Sequence, residues 1–132
     1  MRIGINGLGR MGRLVLRAAI ERGLDVVAVN EPKGDAATLA LGIEFDSVQG
    51  RFGQPVAAAP GGLRVGDRTI ALRQQADWNA LPWRAQAVEL LVDCSGKVKQ
   101  PEQLAPHFAA AVRKILVSNP VPGVPNLVYG VN

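Results

Sequence analysis

A glycine-rich turn near the start of the chain is the feature that most constrains its fold. The turn reads Asn6-Gly7-Leu8-Gly9-Arg10-Met11-Gly12, and it lies between an apolar segment and a segment with apolar residues at helical spacing. In a strand-to-helix turn of this kind, Gly7 permits the sharp bend, Gly9 lets the backbone approach a pyrophosphate, and Gly12 lets the helix pack on the strand. Because the same pattern also occurs in ordinary turns, it needs support from the residues that follow.

An acidic residue after the next apolar segment supplies that support. Residues 14–20 predict a helix that ends near Gly23, residues 25–30 predict a buried parallel strand, and Glu31 follows directly. A carboxylate about 20 positions past the glycines hydrogen-bonds to the adenosine ribose hydroxyls and repels a 2′-phosphate. Lys33 could contact such a phosphate, but Glu31 would still oppose it. The unit therefore predicts NAD, in preference to NADP, as the cofactor.

The rest of the chain alternates between predicted strands and helices. Further strands are expected at 2–6, 88–93, 115–118 and 127–131, helices at 10–22, 35–43 and 101–111, an irregular connection at 44–52, and short antiparallel strands between 54 and 72. This order predicts an α/β fold of the Rossmann type: a doubly wound, mostly parallel sheet with a small antiparallel insertion. For both tryptophans, Trp78 and Trp83, packing over the core is favoured over the alternative of binding adenine.

The carboxyl ends of the strands are where such sheets bind ligands. We therefore expect four segments to converge on one crevice, namely 7–12, 31–33, 94–96 and 118–120.

Size and charge narrow the class of protein. A chain of 132 residues suits one domain, and its first residues enter a strand without a basic leader or apolar targeting segment, which predicts a cytoplasmic protein that does not insert into a membrane. A single cysteine, Cys94, allows no internal disulfide, and no Cys/His spacing suits a metal. The net charge of +4 is too small to specify nucleic-acid binding, which stays a less favoured alternative.

Several motifs in order and spacing resemble the amino-terminal half of phosphorylating glyceraldehyde-3-phosphate dehydrogenase. They are residues 5–13, Val29-Asn30-Glu31, Phe45-Asp46-Ser47 with Gly50-Arg51-Phe52, Asp93-Cys94-Ser95-Gly96 and Tyr129-Gly130-Val131-Asn132, so the resemblance runs the full length of the chain. Residues 81–84 with the Asn-Glu pair resemble the erythrose-4-phosphate dehydrogenase branch. Residues 96–99 with Pro101-Glu102 instead resemble the glyceraldehyde-3-phosphate dehydrogenases found beside arsenic-resistance genes.

The resemblance implies a role for each candidate residue. It assigns the pyrophosphate to Asn6, Gly7, Gly9, Arg10 and Met11, in the loop that Gly12 closes, the adenosine ribose to Glu31, the nicotinamide half to Ser95 and Gly96, and the nicotinamide ribose to Ser118 and Asn119. Two of these have a structural alternative, since Gly96 could simply end a strand and Ser118 could satisfy a local backbone group. The family often carries an arginine near the adenine, and Ala76 stands at that position here.

The resemblance also implies what the chain lacks. The family's glycolytic chemistry uses a cysteine thiolate that attacks an aldehyde and a histidine that activates it, both in a catalytic half. Cys94 is expected to be a buried, inert thiol, and His107 a surface or core-edge residue rather than a base. Residues 1–132 are then an NAD-binding Rossmann domain of a homotetrameric oxidoreductase, with the catalytic domain absent. The domain would bind NAD but not oxidise glyceraldehyde 3-phosphate. The alternative is a stand-alone NAD(H)-responsive binding module.

Overall fold

A seven-stranded sheet with helical segments on both faces forms the core of the protein. The structure, a computed structural model, describes residues 1–126; the strand expected at 127–131 lies outside the described residues. The sheet strands are β1 (Arg2–Asn6), β2 (Asp25–Asn30), β5 (Val56–Ala59), β6 (Gly62–Val65), β7 (Arg68–Arg73), β8 (Leu90–Asp93) and β9 (Lys114–Val117), and β3 (Phe45–Asp46) pairs with β4 (Gly50–Arg51) in a separate two-stranded sheet. The helices are α1 (Arg10–Glu21), α2 (Ala36–Glu44) and α3 (Ala105–Ala109).

The strand order in the main sheet is β5-β6-β7-β2-β1-β8-β9. Strands β7, β2, β1, β8 and β9 run parallel, and helical connections cross between them. Alternation of strands with helices on a parallel sheet is the arrangement of a Rossmann-type fold. The predicted fold class is confirmed.

The antiparallel insertion belongs to the main sheet. Strands β5, β6 and β7 form an antiparallel meander, and β7 then pairs in parallel with β2, with Ala71 opposite Ala28. The insertion therefore extends the parallel sheet at one edge. The expectation of an irregular connection at 44–52 was wrong in part, because β3 and β4 form a short hairpin there.

The two longer helices begin in different ways. Helix α2 begins after Asp35, whose carboxylate accepts a hydrogen bond from the Thr38 N–H at 2.8 Å, as the sequence predicted. Helix α1 begins after Gly9, which provides no side-chain cap. Its buried residues Leu16 and Ile20 belong to the apolar cluster that covers one face of β1. The free amides at the start of α1 are thus left at the carboxyl end of β1.

The opposite face of the sheet is covered by residues 78–88 and α3. Trp83 is fully buried there, which confirms its predicted core role, whereas Trp78 is half-buried. The helix expected over 101–111 consists of a 3₁₀ turn, Pro101–Leu104, followed by α3.

The predicted position of His107, at the surface or the core edge, was wrong. Its side chain is fully buried, its Nδ1 accepts a hydrogen bond from Trp83 Nε1 at 3.1 Å, and its ring centroid lies 4.9 Å from that of Trp78. These partners are distant in sequence, so the pattern around His107 did not reveal them. Among residues 1–126, no helix has the length and apolar character needed to span a membrane.

Candidate functional site

Three parallel strands end in buried polar residues that lie side by side. Asn6 of β1 is opposite Asn30 of β2 and Asp93 of β8. The amide of Asn30 donates to Asn6 Oδ1 at 2.9 Å, and the amide of Asn6 donates to Asp93 Oδ2 at 2.9 Å. A slip of one residue in either strand pair would break these bonds and leave polar groups unpaired in the core. We call this set of three side chains the polar row.

The polar row continues into the loops on both sides. At one end, Gln75 N–H donates to Asn30 Oδ1 at 2.9 Å. At the other end, Asp93 Oδ1 accepts from the backbone N–H of Ser95 at 3.0 Å and from its hydroxyl at 2.6 Å. The loops after β7 and β8 are therefore held at the same edge of the sheet.

The glycine loop packs on this edge in the way its sequence predicts. Gly7 has a φ of +101°, and a Cβ there would lie 2.8 Å from backbone atoms of Cys94 and Ser95. A Cβ on Gly12 would overlap the carbonyl oxygen of Gly7. In contrast, no atom lies within 4 Å of a Cβ built on Gly9. Gly7 and Gly12 serve close packing, and Gly9 borders open space.

Glu31 is fixed beside that open space. The N–H of Leu8 donates to one carboxylate oxygen at 2.9 Å, and the N–H of Lys33 donates to the other at 3.0 Å. Each carboxylate oxygen can accept a further hydrogen bond. Both are thus held in place with capacity left for hydroxyl donors of a ligand.

A cavity of about 220 Å³ brings these elements together. Of the residues that the sequence singled out, it is lined by Asn6, Gly7, Gly9, Glu31 and Ser95. Pro32, Lys33 and Cys94, which belong to the segments expected there, also line it, as does Ala76 at the position expected near the adenine. The motifs did not indicate Trp78 and Lys97, which complete the lining. Segments 7–12, 31–33 and 94–96 therefore converge as expected. One local signal was available for the position of Trp78. Asp77 is a capping residue, and it fixes the start of the 3₁₀ turn Trp78–Ala80.

The remaining residues of the loop lie around the cavity rather than in its wall. Met11 is 54% exposed on the first turn of α1, and Gly12 is buried beneath it. The Arg10 guanidinium lies 3.5 Å from the carboxylate of Asp46. Gly96 follows Ser95 with a φ of +71°, a backbone conformation that favours glycine.

The segment after β9 borders a different cavity. Ser118 and Asn119 line a space of about 760 Å³ formed by residues 115–121 and 124–126. The Ser118 N–H donates to the Asp93 carbonyl at 2.9 Å, and the Asn119 amide donates to the Val98 carbonyl at 3.0 Å. The segment therefore lies at the same sheet edge as Ser95, but it does not line the cavity beside Gly9.

Cys94 lies under the cleft as a protonated thiol. Burial, together with the nearby Asp93 carboxylate, raises the pKa of Cys94 to about 11, against a smaller opposing effect of the hydrogen bond with Ser118. The raised pKa agrees with the expectation of an inert thiol, but the expectation that Cys94 is buried was wrong, because its side chain is half-buried and lines the cavity. Within residues 1–126, no group of three or more His, Cys, Asp or Glu side chains could hold a metal ion.

The arrangement fits the phosphate and ribose parts of a dinucleotide. The first turn of α1 has no acidic residue and no side-chain cap, so its N–H groups and the positive end of the helix dipole are available to an anion. Open space at Gly9 gives an anion room to approach these groups, and Glu31 offers acceptors to ribose hydroxyls.

Comparison with known proteins agrees with this geometry. Residues 1–101 match the family described as glyceraldehyde 3-phosphate dehydrogenase, NAD binding domain. Glyceraldehyde-3-phosphate dehydrogenase 1 of Streptomyces arenae is 41% identical over 135 residues, a match that covers 100% of this chain and 40% of the relative.

Two eukaryotic relatives give the same result. The cytosolic enzyme of Chondrus crispus is 38% identical over 99% of this chain and 39% of its own length. Glyceraldehyde-3-phosphate dehydrogenase 2 of Drosophila melanogaster is 39% identical over 99% of this chain and 40% of its own length. The chain thus spans about 40% of the length of the curated relatives it matches. It belongs to the glyceraldehyde-3-phosphate dehydrogenase family and corresponds to the NAD-binding domain of that family.

Proposed function

We propose that this chain holds NAD in the cleft between the glycine loop and Glu31, as the cofactor-binding domain of an aldehyde-oxidising enzyme. The observation that carries the proposal is the open space at Gly9 directly beside an anchored acidic residue. A phosphate-binding turn and a ribose-binding carboxylate are both needed for a dinucleotide, and here one hydrogen bond, from Leu8 to Glu31, joins them.

The pyrophosphate is assigned to the start of α1. The backbone N–H groups of Arg10, Met11 and Gly12 belong to its first turn, where the helix supplies no acceptor for them. Asn6 and Gly7 form the floor of the turn. The Arg10 side chain is 54% exposed and pairs with Asp46, so its guanidinium lies at the rim.

The adenosine ribose is assigned to Glu31. With one backbone donor on each carboxylate oxygen, the side chain presents its remaining lone pairs to the 2′- and 3′-hydroxyls. A 2′-phosphate would instead meet this negative charge at close range, which favours NAD over NADP.

The nicotinamide half is assigned to Ser95 and Gly96, with Ser118 and Asn119 beyond them. Ser95 is fixed by Asp93 at the end of the polar row, next to the cavity wall. Ser118 follows β9 at the same edge, where its backbone is tied to that of Asp93. Together these residues continue the cleft away from Glu31.

The oxidoreductase class follows from the relatives, all named as glyceraldehyde-3-phosphate dehydrogenases. We assign the whole enzyme a phosphorylated aldehyde such as glyceraldehyde 3-phosphate as substrate. NAD, when bound, supplies the hydride acceptor. Nucleophile, base and substrate-phosphate site are assigned to a separate catalytic domain, because burial raises the pKa of the Cys94 thiol to about 11 and the His107 side chain is fully buried. A cytoplasmic homotetramer is proposed for the complete protein.

The test has a binding arm and an activity arm. Calorimetric titration of the 132-residue chain with NAD and NADP is expected to give measurable binding of NAD and weaker binding of NADP. Preferential binding of NADP, or of neither cofactor at millimolar concentration, would contradict the proposed cleft.

In the activity arm, the chain is incubated with glyceraldehyde 3-phosphate, phosphate and NAD, and absorbance is followed at the NADH band. We expect no turnover, and turnover by this chain would contradict the assignment of catalysis to another domain. If the native reading frame ends at Asn132, the stand-alone NAD(H)-responsive module replaces the enzyme-domain proposal.

A further inference from the structure

An indole ring lies where the cavity of the proposed cleft meets a second cavity. The cavity beside Gly9 is bordered by Ala76, Trp78 and Lys97, and the same three residues also line a second cavity of about 410 Å³. The two cavities therefore adjoin at these residues. Among all residues that line either cavity in the described part of the chain, Trp78 is the sole aromatic one.

The direction of a bound dinucleotide follows from the proposed roles of Gly9 and Glu31, which both line the first cavity. With the pyrophosphate at Gly9 and the ribose at Glu31, the base attached to that ribose extends away from the glycine loop. The Glu31 N–H donates to the Arg73 carbonyl at 2.9 Å, so the segment that follows β7 lies next to Glu31, and its residues Ala76 and Trp78 line the same cavity. A planar base that leaves the ribose in this direction meets the indole.

The indole is held in place from behind. Its ring centroid lies 4.9 Å from that of buried His107, with a tilt of 32°, and Trp78 packs against two apolar clusters. Because the ring is already packed on one side, little conformational freedom remains to be lost when a ligand covers the other side. Ala76 contributes only a methyl group next to it, which leaves room for a flat ring.

We propose that Trp78 is the stacking platform for the adenine of the dinucleotide, and hence a residue that determines affinity for adenine-containing ligands. The inference rests on the proposed NAD cleft and adds to it the residue that recognises the base. Stacking of a base on an aromatic side chain contributes enough for removal of the ring to weaken binding roughly 5- to 100-fold.

Tryptophan fluorescence and calorimetry test the platform. The 132-residue chain is titrated with NAD, AMP and nicotinamide mononucleotide. Trp83 is fully buried, so it serves as a constant background for Trp78 emission. NAD and AMP are expected to quench the emission, and nicotinamide mononucleotide is not. Trp78→Leu should lower the affinity for NAD and AMP roughly 5- to 100-fold, and Trp78→Phe should lower it by only a few-fold.

Two controls separate stacking from folding. Phe108→Leu removes a half-exposed aromatic ring that lines neither cavity, and it should leave NAD and AMP binding unchanged. Trp78→Leu could unfold if its contact with His107 is lost. In that case the test is made on the unsubstituted chain by NMR, where addition of AMP should shift the indole N–H resonance of Trp78.

The outcomes are distinct. Unchanged NAD and AMP affinity in Trp78→Leu overturns the platform but leaves the proposed cleft standing, as does an equal loss for AMP and nicotinamide mononucleotide. Absence of any resonance shift with AMP while NAD still binds has the same meaning. Failure of the unsubstituted chain to bind both NAD and AMP overturns the proposed function together with this inference.

Discussion

The backbone N–H of Leu8 donates to the carboxylate of Glu31 at 2.9 Å, which joins the middle of the glycine loop to the end of β2. This contact connects the two halves of the proposed cleft. A substitution in the glycine loop should therefore change the position of Glu31, and a substitution of Glu31 should change the loop. The contact also means that Glu31 has a structural partner even without a ligand.

Replacement of Glu31 tests that connection. Glu31→Ala removes the acceptors proposed for the ribose, and because hydrogen bonds to a charged group contribute about 1.5–3 kcal/mol, NAD affinity should fall by roughly 10- to 100-fold. NADP should be affected less, since the repulsion of its 2′-phosphate is also removed. Calorimetry with both cofactors measures the change, and an unaltered ratio of the two affinities would contradict the role of Glu31.

The glycines of the loop should respond in opposite ways to the same substitution. Gly9→Ala places a methyl group in the open space and at an allowed backbone conformation, with φ of −66°, so the fold should tolerate it while NAD binding weakens. Gly12→Ala drives a Cβ into the Gly7 carbonyl and should destabilise the fold by roughly 1–3 kcal/mol or more. Urea unfolding and NAD titration of both variants compare the effects. A stable Gly12→Ala variant or unimpaired NAD binding in Gly9→Ala would count against this assignment.

Burial of His107 should make stability depend on pH in a defined window. Burial lowers the pKa of His107 from 6.5, and the nearby Asp93 carboxylate opposes this only in part. Below pH 6.5 the unfolded chain therefore binds more protons at this residue than the folded chain, and stability falls as the pH decreases. Protonation would also remove the acceptor that Nδ1 offers to Trp83.

The measurement for His107 is the free energy of unfolding in urea between pH 7 and pH 5. The unsubstituted chain should lose stability over this range, and His107→Gln should lose less. Backbone hydrogen bonds lower the pKa values of Asp35 and Asp46 from 3.8. Their contributions to the free energy of unfolding are therefore lost only near and below pH 3.8, outside the measured range. A parallel pH dependence in both proteins would exclude His107 as the cause.

The Cys94 thiol should react slowly with alkylating reagents because of its raised pKa, in addition to any effect of limited solvent exposure. With a pKa of about 11 rather than the ordinary 9.0, its thiolate fraction at pH 8 is about 100-fold lower in the folded chain than in the unfolded chain. Alkylation by iodoacetamide should be roughly 10- to 100-fold slower in the folded chain, because the greater nucleophilicity of a thiolate with a raised pKa offsets part of this difference. Mass spectrometry with and without urea measures the two rates. Similar rates in the two states would mean that folding does not raise the pKa of this thiol.

Local patterns predicted the elements with strong sequence signals. Strand β2 spans the predicted 25–30, and Asp35 caps α2, because apolar runs and capping residues act over a few positions. The chemistry of the glycine loop was equally local. These elements account for the glycine and acidic sides of the candidate site.

Distant packing explains what the sequence did not reveal. His107 was expected at the surface or core edge, yet Trp83 donates a hydrogen bond to it from 24 positions away. Trp78 was expected to cover the core, and it does so on one side while the other borders the cleft. Ser118 and Asn119 were expected in the same crevice as Gly9, but they border a different cavity because β9 lies two strands from β1.

The polar row has a consequence for how a ligand meets this chain. The hydrogen bonds among Asn6, Asn30 and Asp93 fix the register of their three strands, and they form when the sheet forms. The relative positions of the loops that follow these strands are therefore fixed before any ligand binds. An incoming dinucleotide would encounter a surface already in its binding shape, so little of its interaction energy would be consumed in ordering the protein.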